Sequence, residues 1–256
     1  MIDLHCHILP GLDDGARDED EAVEMARQAA ADGIRTVVAT PHHRNGRFVN
    51  GRAAVEAAVR KLTERLAAEG VPLRVLPGQE LHCGERIFEW LQDEEEWLPL
   101  GGSKYVLLEF PPGDVPAHAA EVVHELAVLG CTAVVAHPEH NRRIAAEPDT
   151  LYRLVEAGAL AQVTSLSLMG RHGPRVRSTA LELCRRNLVH FVATDAHNRR
   201  WRPFLLREAY ERVRRELGEE RARMYLRNAE AVVAGEEAER PEPLPGKRRW
   251  WRLWAR

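Results

Sequence analysis

The 256-residue chain has only four cysteines, Cys6, Cys83, Cys131 and Cys184, and no Cys-x-x-Cys pair among them. That spacing excludes a zinc knuckle, a dithiol couple and a disulfide-stapled scaffold, and suits reduced thiols in a cytosol. Charge of one sign is also missing. Lys and Arg number 36 against 39 Asp and Glu, a net −3, so bulk attraction to nucleic acid is not expected. No apolar run approaches the roughly 20 residues needed to span a bilayer. The opening residues hold His and Asp where a signal peptide would have a basic region and an apolar stretch, so a cytoplasmic protein is expected. Aromatic residues make up only 6%, yet three of the six tryptophans fall in the last ten residues.

What is present is globular: 45% hydrophobic and 29% charged residues in a length that fits one large domain. Short β-branched runs at 34–40, 73–78, 105–110, 132–137, 160–165 and 189–195 follow an opening strand, seven in all. Amphipathic stretches such as "DEDEAVEMARQAAADG" lie between them, with Gly33 as a C-cap. This alternation predicts parallel strands joined by crossover helices, and the count suits an α/β fold of the (β/α) barrel type, incomplete or distorted. Residues 1–235 form the expected domain. Residues 236–246 read as a Pro-rich extended tether and 247–256 as a basic, Trp-rich tail.

In such barrels, chemistry sits at the C-terminal ends of the strands. In "MIDLHCHILPGLDDG", alternation puts Asp3, His5 and His7 on one face of the first strand, with Cys6 packed on the other. The adjoining turn adds Asp14. The second strand ends in "TPHH" with His42 and His43, the third brings Glu80, and the fourth Glu109. "AHPEHNRR" ends the fifth with His137, Glu139 and His140, and "TDAHN" ends the seventh with Asp195 and His197. Only the sixth, ending in "TSLS", brings no expected ligand. A lone histidine is more often a core residue with a hydrogen-bond partner. Six of seven strand ends carrying the same chemistry to one mouth are not explained that way.

Five histidines and four carboxylates exceed the needs of one ion. The set suggests two or three divalent cations, hard oxygen ligands favouring Mn²⁺, with Fe, Co and Zn as alternatives. A charge count supports three, since a bridging hydroxide and a phosphate monoester dianion then bring the site close to neutral. Paired ions can acidify a shared water and clamp a phosphoryl oxygen, or polarise a carbonyl for amide or ring hydrolysis; spacing leaves both open. Arg44, Arg47, Arg199, Arg200 and Arg202 lie in loops at the same mouth and favour an anionic substrate.

The ordered set "DLHCH", "DDG", "TPHH", "GQE", "LLEF", "AHPE" and "TDAHN" resembles the polymerase-and-histidinol-phosphatase (PHP) superfamily over residues 1 to about 233. More closely it is similar to the bacterial manganese-dependent tyrosine-protein phosphatases of capsule and exopolysaccharide clusters. The resemblance implies a distorted barrel of seven β/α units and three metals. By that similarity His5, His7, Glu80 and Asp195 hold the first. Glu80 bridges to a second, completed by Glu109 and His137, while Asp14, His42 and His197 hold the third. Where the family reads His-x-Glu-Arg, this chain has His140. That imidazole as a cation, or Arg142 or Arg143 from the next turn, could replace the arginine; a shifted substrate is the alternative. His140, Arg142 and Asp14 are thus the catalytic candidates, and Arg44, Arg47, Arg199 and Arg202 the substrate-binding ones.

The implied activity is a metal-dependent phosphomonoesterase acting on a phosphotyrosine protein, a polysaccharide-assembly tyrosine kinase. The alternatives are a small-molecule phosphatase such as a histidinol-phosphate hydrolase, and a regulatory module that binds phosphotyrosine without turnover. The tail "KRRWWRLWAR" puts Trp and Leu on one helical face and Arg on the other, which suits contact with an anionic membrane surface. Packing back onto the barrel is the competing expectation, and no oligomeric state is predicted.

Overall fold

Strand β1 (Ile2–Cys6) pairs with β2 (Thr36–Ala39), and β2 with β4 (Arg74–Pro77), all in parallel. A second parallel sheet runs in the order β3 (His42–His43), β5 (Glu80–His82), β6 (Tyr105–Glu109), β7 (Thr132–Ala136), β8 (Leu160–Thr164) and β9 (Phe191–Ala193). These coordinates are a computed structural model that describes residues 1–93 and 95–246, so the basic Trp-rich tail and its expected membrane contact lie outside the described residues.

Nine strand pieces make the seven expected positions because two runs are broken. Pro41, without an N–H to give a ladder, separates β2 from β3. Gly78 separates β4 from β5, and a Cβ there would lie 2.8 Å from Val38 Cγ1, so only glycine fits. The breaks pass the ring from one sheet to the other. On the opposite side, Asp195 N–H donates to His5 O and His7 N–H to Ala196 O, both at 2.8 Å, tying β9 to β1. The result is a distorted barrel of seven strand positions, not one continuous closed ladder.

Ten helices cover it: α1 (Glu19–Asp32), α2 (Arg52–Ala68), α3 (Ile87–Leu91), α4 (Ala119–Val128), α5 (Arg142–Ala146), α6 (Asp149–Glu156), α7 (Ser165–Leu168), α8 (Pro174–Arg185), α9 (Leu206–Leu217) and α10 (Glu219–Ala234), counted among the described residues. α1 shows why they form where they do. The Asp18 side chain accepts from Glu21 N–H, Glu19, Asp20 and Glu21 face the positive end of the dipole, and Gly33 closes the helix at φ 90°. Leu4, Val38, Leu107, Val134, Leu160 and Phe191 fill the inside of the ring, while Cys6, Val37, Val106, Val135, Val163 and Val192 pack outward under the helices.

One expectation fails at β1. Its register against β2 slips by one residue between Asp3 and Cys6, the mark of a β-bulge. Alternation is broken there, so Asp3 does not join the histidines: its carboxylate accepts from the backbone N–H and the hydroxyl of Thr194. Burial, opposed by those Thr194 bonds, pushes the Asp3 carboxyl up to about 6. Residues 236–246 have no helix or strand and lie against the base of the barrel. Tyr105 Oη donates to Glu236 O and accepts from Ala238 N–H, both at 2.9 Å, and Leu244 N–H donates to Arg186 O at 2.8 Å.

Candidate metal centre

All nine expected ligands converge at the C-terminal ends of the strands. The loop after β1 folds back so tightly that a Cβ on Gly15 would lie 2.0 Å from His7 O, which requires glycine and turns Asp13 and Asp14 toward the histidines. His137 and Asp195 sit just past β7 and β9 with φ of 33° and 54°, left-handed conformations that cost a non-glycine residue energy. Two such residues among nine candidate ligands mark backbone held in place for function.

The protons of His5 and His7 can be placed. His5 Nδ1 lies 2.9 Å from Gln162 Oε1, an oxygen that only accepts, because the Gln162 amide N–H donates to Val163 O. His7 Nδ1 lies 2.6 Å from the Asp13 carboxylate. Both imidazoles therefore donate from Nδ1 and turn Nε2 toward the centre. Those two Nε2 atoms are 3.2 Å apart. Glu80 Oε2 is 3.4 Å from each and Asp195 Oδ1 3.3 Å from each. Carboxylate oxygens gathered on this pair of imidazole nitrogens fit a cation, with His5, His7 and Glu80 in one group and His5, His137 and Asp195 in another. Donors around an ion at roughly 2.0–2.2 Å stand at about this spacing. Glu80 Oε2 and Asp195 Oδ1 are also buried with no hydrogen-bond partner, as are His42 Nδ1 and His197 Nε2.

Two further groups adjoin this one. His42 Nδ1 is 2.9 Å from Glu80 Oε2 and 3.7 Å from Glu109 Oε2, and His137 Nε2 is 2.7 Å from Glu80 Oε1. Asp14 Oδ1 lies 3.5 Å from both His42 Nε2 and His197 Nε2. Glu80 stands between groups, as a bridging carboxylate would. Here His137 also gathers with His5 and Asp195, and Glu109 with His42 and Glu80. The electrostatics agree. Burial pushes the Glu80 and Asp195 carboxyls up, but the imidazoles packed around them, and Arg202 beside Asp195, hold both well below the usual range. Burial lowers His7 and His137, yet the surrounding carboxylates hold His7 well above an ordinary imidazole and His137 at about 9. The centre attracts positive charge strongly.

His140 stands beside it in a second hydrogen-bonded set. Thr164 Oγ1 donates to Glu139 Oε1 at 3.1 Å, which uses its only proton. The 2.7 Å contact between Thr164 and Ser167 is then a donation from Ser167. Ser167 Oγ is left with lone pairs, so His140 Nε2, at 3.0 Å, and His172 Nδ1, at 3.3 Å, both donate to it. Burial lowers the affinity of both imidazoles for a second proton. The expected cation at position 140 is therefore a neutral imidazole near pH 7. A cavity of about 410 Å³ opens between His140, His172, His137, Asp195 and Arg202.

The arginines divide. Arg202 bonds the Asp195 carboxylate and lines that cavity. Arg44 turns away to an ion pair with Glu96 and lies 5.5 Å from the Trp90 ring centroid. Arg47 sits 4.8 Å over Phe48, whose ring stacks on His42. Arg199 pairs with Glu24 at 3.2 Å, Arg142 extends along Gly113, and Arg143 pairs with Glu147 at 2.8 Å. His43 is buried behind the site, accepting from Asn50 N–H at 3.0 Å. Sequence reasoning noted Asp13 in the Asp-Asp-Gly turn without giving it a role, and missed Gln162, Thr164, Ser167 and His172. Gln162, Thr164 and Ser167 come from the sixth strand and the turn after it, whose amide and hydroxyls do not advertise ligands, and His172 lies beyond the strand end.

The family model for capsular polysaccharide synthesis, CpsB/CapC, matches residues 1–234. Tyrosine-protein phosphatase YwqE of Bacillus subtilis is 45% identical over 97% of this chain and 98% of its own length. Tyrosine-protein phosphatase CpsB of Streptococcus agalactiae is 28% identical over 91% and 98%. A crystal structure from the pair YwqE of Bacillus subtilis and CpsB of Streptococcus pneumoniae, described as unique metal-dependent tyrosine phosphatases, superposes with a TM-score of 0.93 at 45% identity, covering 97% of this chain and 100% of that one. An organophosphorus hydrolase from Deinococcus radiodurans, 14% identical with a TM-score of 0.55 over 91% of both chains, shares the fold alone. The match over nearly all the described residues, on a chain whose strand ends carry the ligand set derived above, places this protein in the CpsB/CapC family.

Proposed function

We propose that the chain is a metal-dependent tyrosine-protein phosphatase of capsule or exopolysaccharide synthesis. The observation that carries the reading is the pair of imidazole nitrogens on His5 and His7, 3.2 Å apart, each 3.3–3.4 Å from a Glu80 and an Asp195 carboxylate oxygen. The likeness to YwqE and CpsB supplies the substrate class, a phosphotyrosine protein, with the family's tyrosine kinase as the proposed partner. Three divalent ions are proposed, Mn²⁺ foremost, with Glu80 shared between two of them.

Bound divalent ions would offset the charge of the phosphoryl oxygens and acidify water at neutral pH. The chain's own residues do the rest. Gln162 and Asp13 fix the ring orientation of His5 and His7 by holding their Nδ1 hydrogens. Arg202, with a guanidinium edge on Asp195 and the rest toward the cavity, offers donors to equatorial phosphoryl oxygens. His140 and His172, both with hydrogen directed at Ser167, form the wall against which the tyrosine side of the ester would lie.

The test is turnover of a phosphotyrosine peptide against histidinol phosphate and an amide substrate by the metal-loaded chain. Preference for the peptide by at least about tenfold in kcat/KM supports the reading. Equal or better turnover of histidinol phosphate favours a small-molecule enzyme, and binding without turnover a regulatory module.

A further inference from the structure

Residues 197–202, between β9 and α9, form a loop that is held rigidly and yet displays a tryptophan to solvent. Its ends are tied: His197 N–H and Asn198 N–H donate to Arg202 O at 2.9 and 3.2 Å. Inside it, Asn198 Oδ1 accepts from the backbone N–H groups of Arg200, Trp201 and Arg202 at 3.1, 2.7 and 3.3 Å. From outside, Gln28 of α1 donates to Arg199 O and accepts from Phe204 N–H. Trp201 is nevertheless 83% exposed, more than any other large apolar side chain among the described residues. Its exposure is not slack in the chain. The backbone is fixed so that the indole stands out.

The indole stands at the rim of a groove. A cavity of about 690 Å³ runs from Asp14 and His197, both ligands of the candidate centre, past Arg17 and Arg199 to Arg200 and Trp201. Arg17 and Arg199 are paired at the surface with Glu21 and Glu24. Among the described residues the Arg200 side chain has no ion pair or hydrogen bond. A channel that begins at the metal centre and ends at a fixed indole with a free guanidinium is not needed for the phosphoryl group, which the centre itself takes. It has the chemistry that binds polypeptide: Trp and Arg give most contact energy for least ordering cost, and Arg forks match carboxylates.

Resting on the reading of the site as a tyrosine phosphatase, we infer that this groove binds the polypeptide flanking the phosphotyrosine, an extended segment bearing acidic side chains, with Trp201 as its anchor. Arg200 meets an acidic flank, and the indole covers the backbone beside it. The residue recognises the protein and not the phosphate ester, so its effect is confined to substrates that carry flanking chain.

The experiment uses the full chain loaded with Mn²⁺ and three substrates: N-acetyl-phosphotyrosine amide, a phosphotyrosine peptide with Asp and Glu flanks, and the same peptide with Asn and Gln. Trp201→Ala should raise KM for the acidic peptide about five- to tenfold with kcat within about twofold, and leave the capped amino acid unchanged. Trp201→Phe should recover most of the loss, and the wild type should bind the neutral peptide more weakly than the acidic one. An unchanged KM for the acidic peptide in Trp201→Ala, or an equal loss on the peptide and the capped amino acid, overturns the inference. A wild-type chain inert toward all three overturns the phosphatase reading instead.

Discussion

The Nε2 atoms of His5 and His7 face each other at 3.2 Å, and each ring's Nδ1 hydrogen is committed to a partner on its far side. Asp13→Ala or Gln162→Leu frees one ring to rotate or change tautomer. Metal affinity should fall about 10- to 100-fold in either variant, measured by chelator competition, while the fold persists. Unchanged affinity in both would show that the two partners do not set the imidazoles.

Glu80 and Cys6 separate the centre from its scaffold. Glu80→Gln should remove bound metal and lower kcat/KM at least about a hundredfold, since one carboxylate serves two groups. Cys6 is fully buried in the outward-facing core, its thiol pushed well up by burial. Cys6→Ala should cost about 1 kcal/mol in thermal or urea unfolding and leave metal content intact. Equal metal loss in the two variants would contradict the placement of Cys6 outside the barrel.

His140 offers a test by charge. Burial lowers its pKa below the ordinary imidazole value, so any benefit from its cation fades at a lower pH than for an exposed imidazole. The ratio of His140→Arg to wild-type activity should climb between about pH 5 and 6.5 and stay flat from there to pH 8. A ratio that keeps climbing above pH 7 would mean that His140 stays protonated there, contrary to its hydrogen-bond set.

His190 gives a stability test remote from the metals. Burial, with Arg240 and Arg221 nearby, depresses its pKa to about 3, and its Nδ1 accepts from Ala161 N–H. The folded state thus favours the neutral ring. Its contribution is complete above about pH 6.5, where the unfolded chain is also neutral, and is lost as pH falls toward 3, by up to about 4 kcal/mol. His190→Asn keeps an acceptor but cannot titrate. Under equal metal loading its urea midpoint should fall less steeply than wild type between pH 6 and 4; parallel slopes would contradict this.

The ring of strands and the gathering of nine candidate ligands at its mouth were legible because hydrophobic periodicity and strand-end position carry them. Less legible was anything set by contact across the fold. The bulge at β1 depends on register against β2, so Asp3 appeared to share a face with His5 and His7 and does not. Arg44 looked like a free cation at the mouth until Glu96, 52 residues away, was placed beside it. Strand β8 and the turn after it looked empty because an amide and hydroxyls are not expected ligands, yet Gln162 on β8 bonds His5, and Ser167 on α7, itself bonded to Thr164, bonds His140 and His172.

The most direct measurement is turnover of a phosphotyrosine peptide by the full chain after metal is stripped with chelator and then returned. Activity should vanish on stripping and come back with Mn²⁺ further than with Mg²⁺, since the imidazole-rich site suits Mn²⁺ better than an ion that prefers oxygen and water. Full activity in excess chelator would contradict the metal-dependent phosphatase account outright.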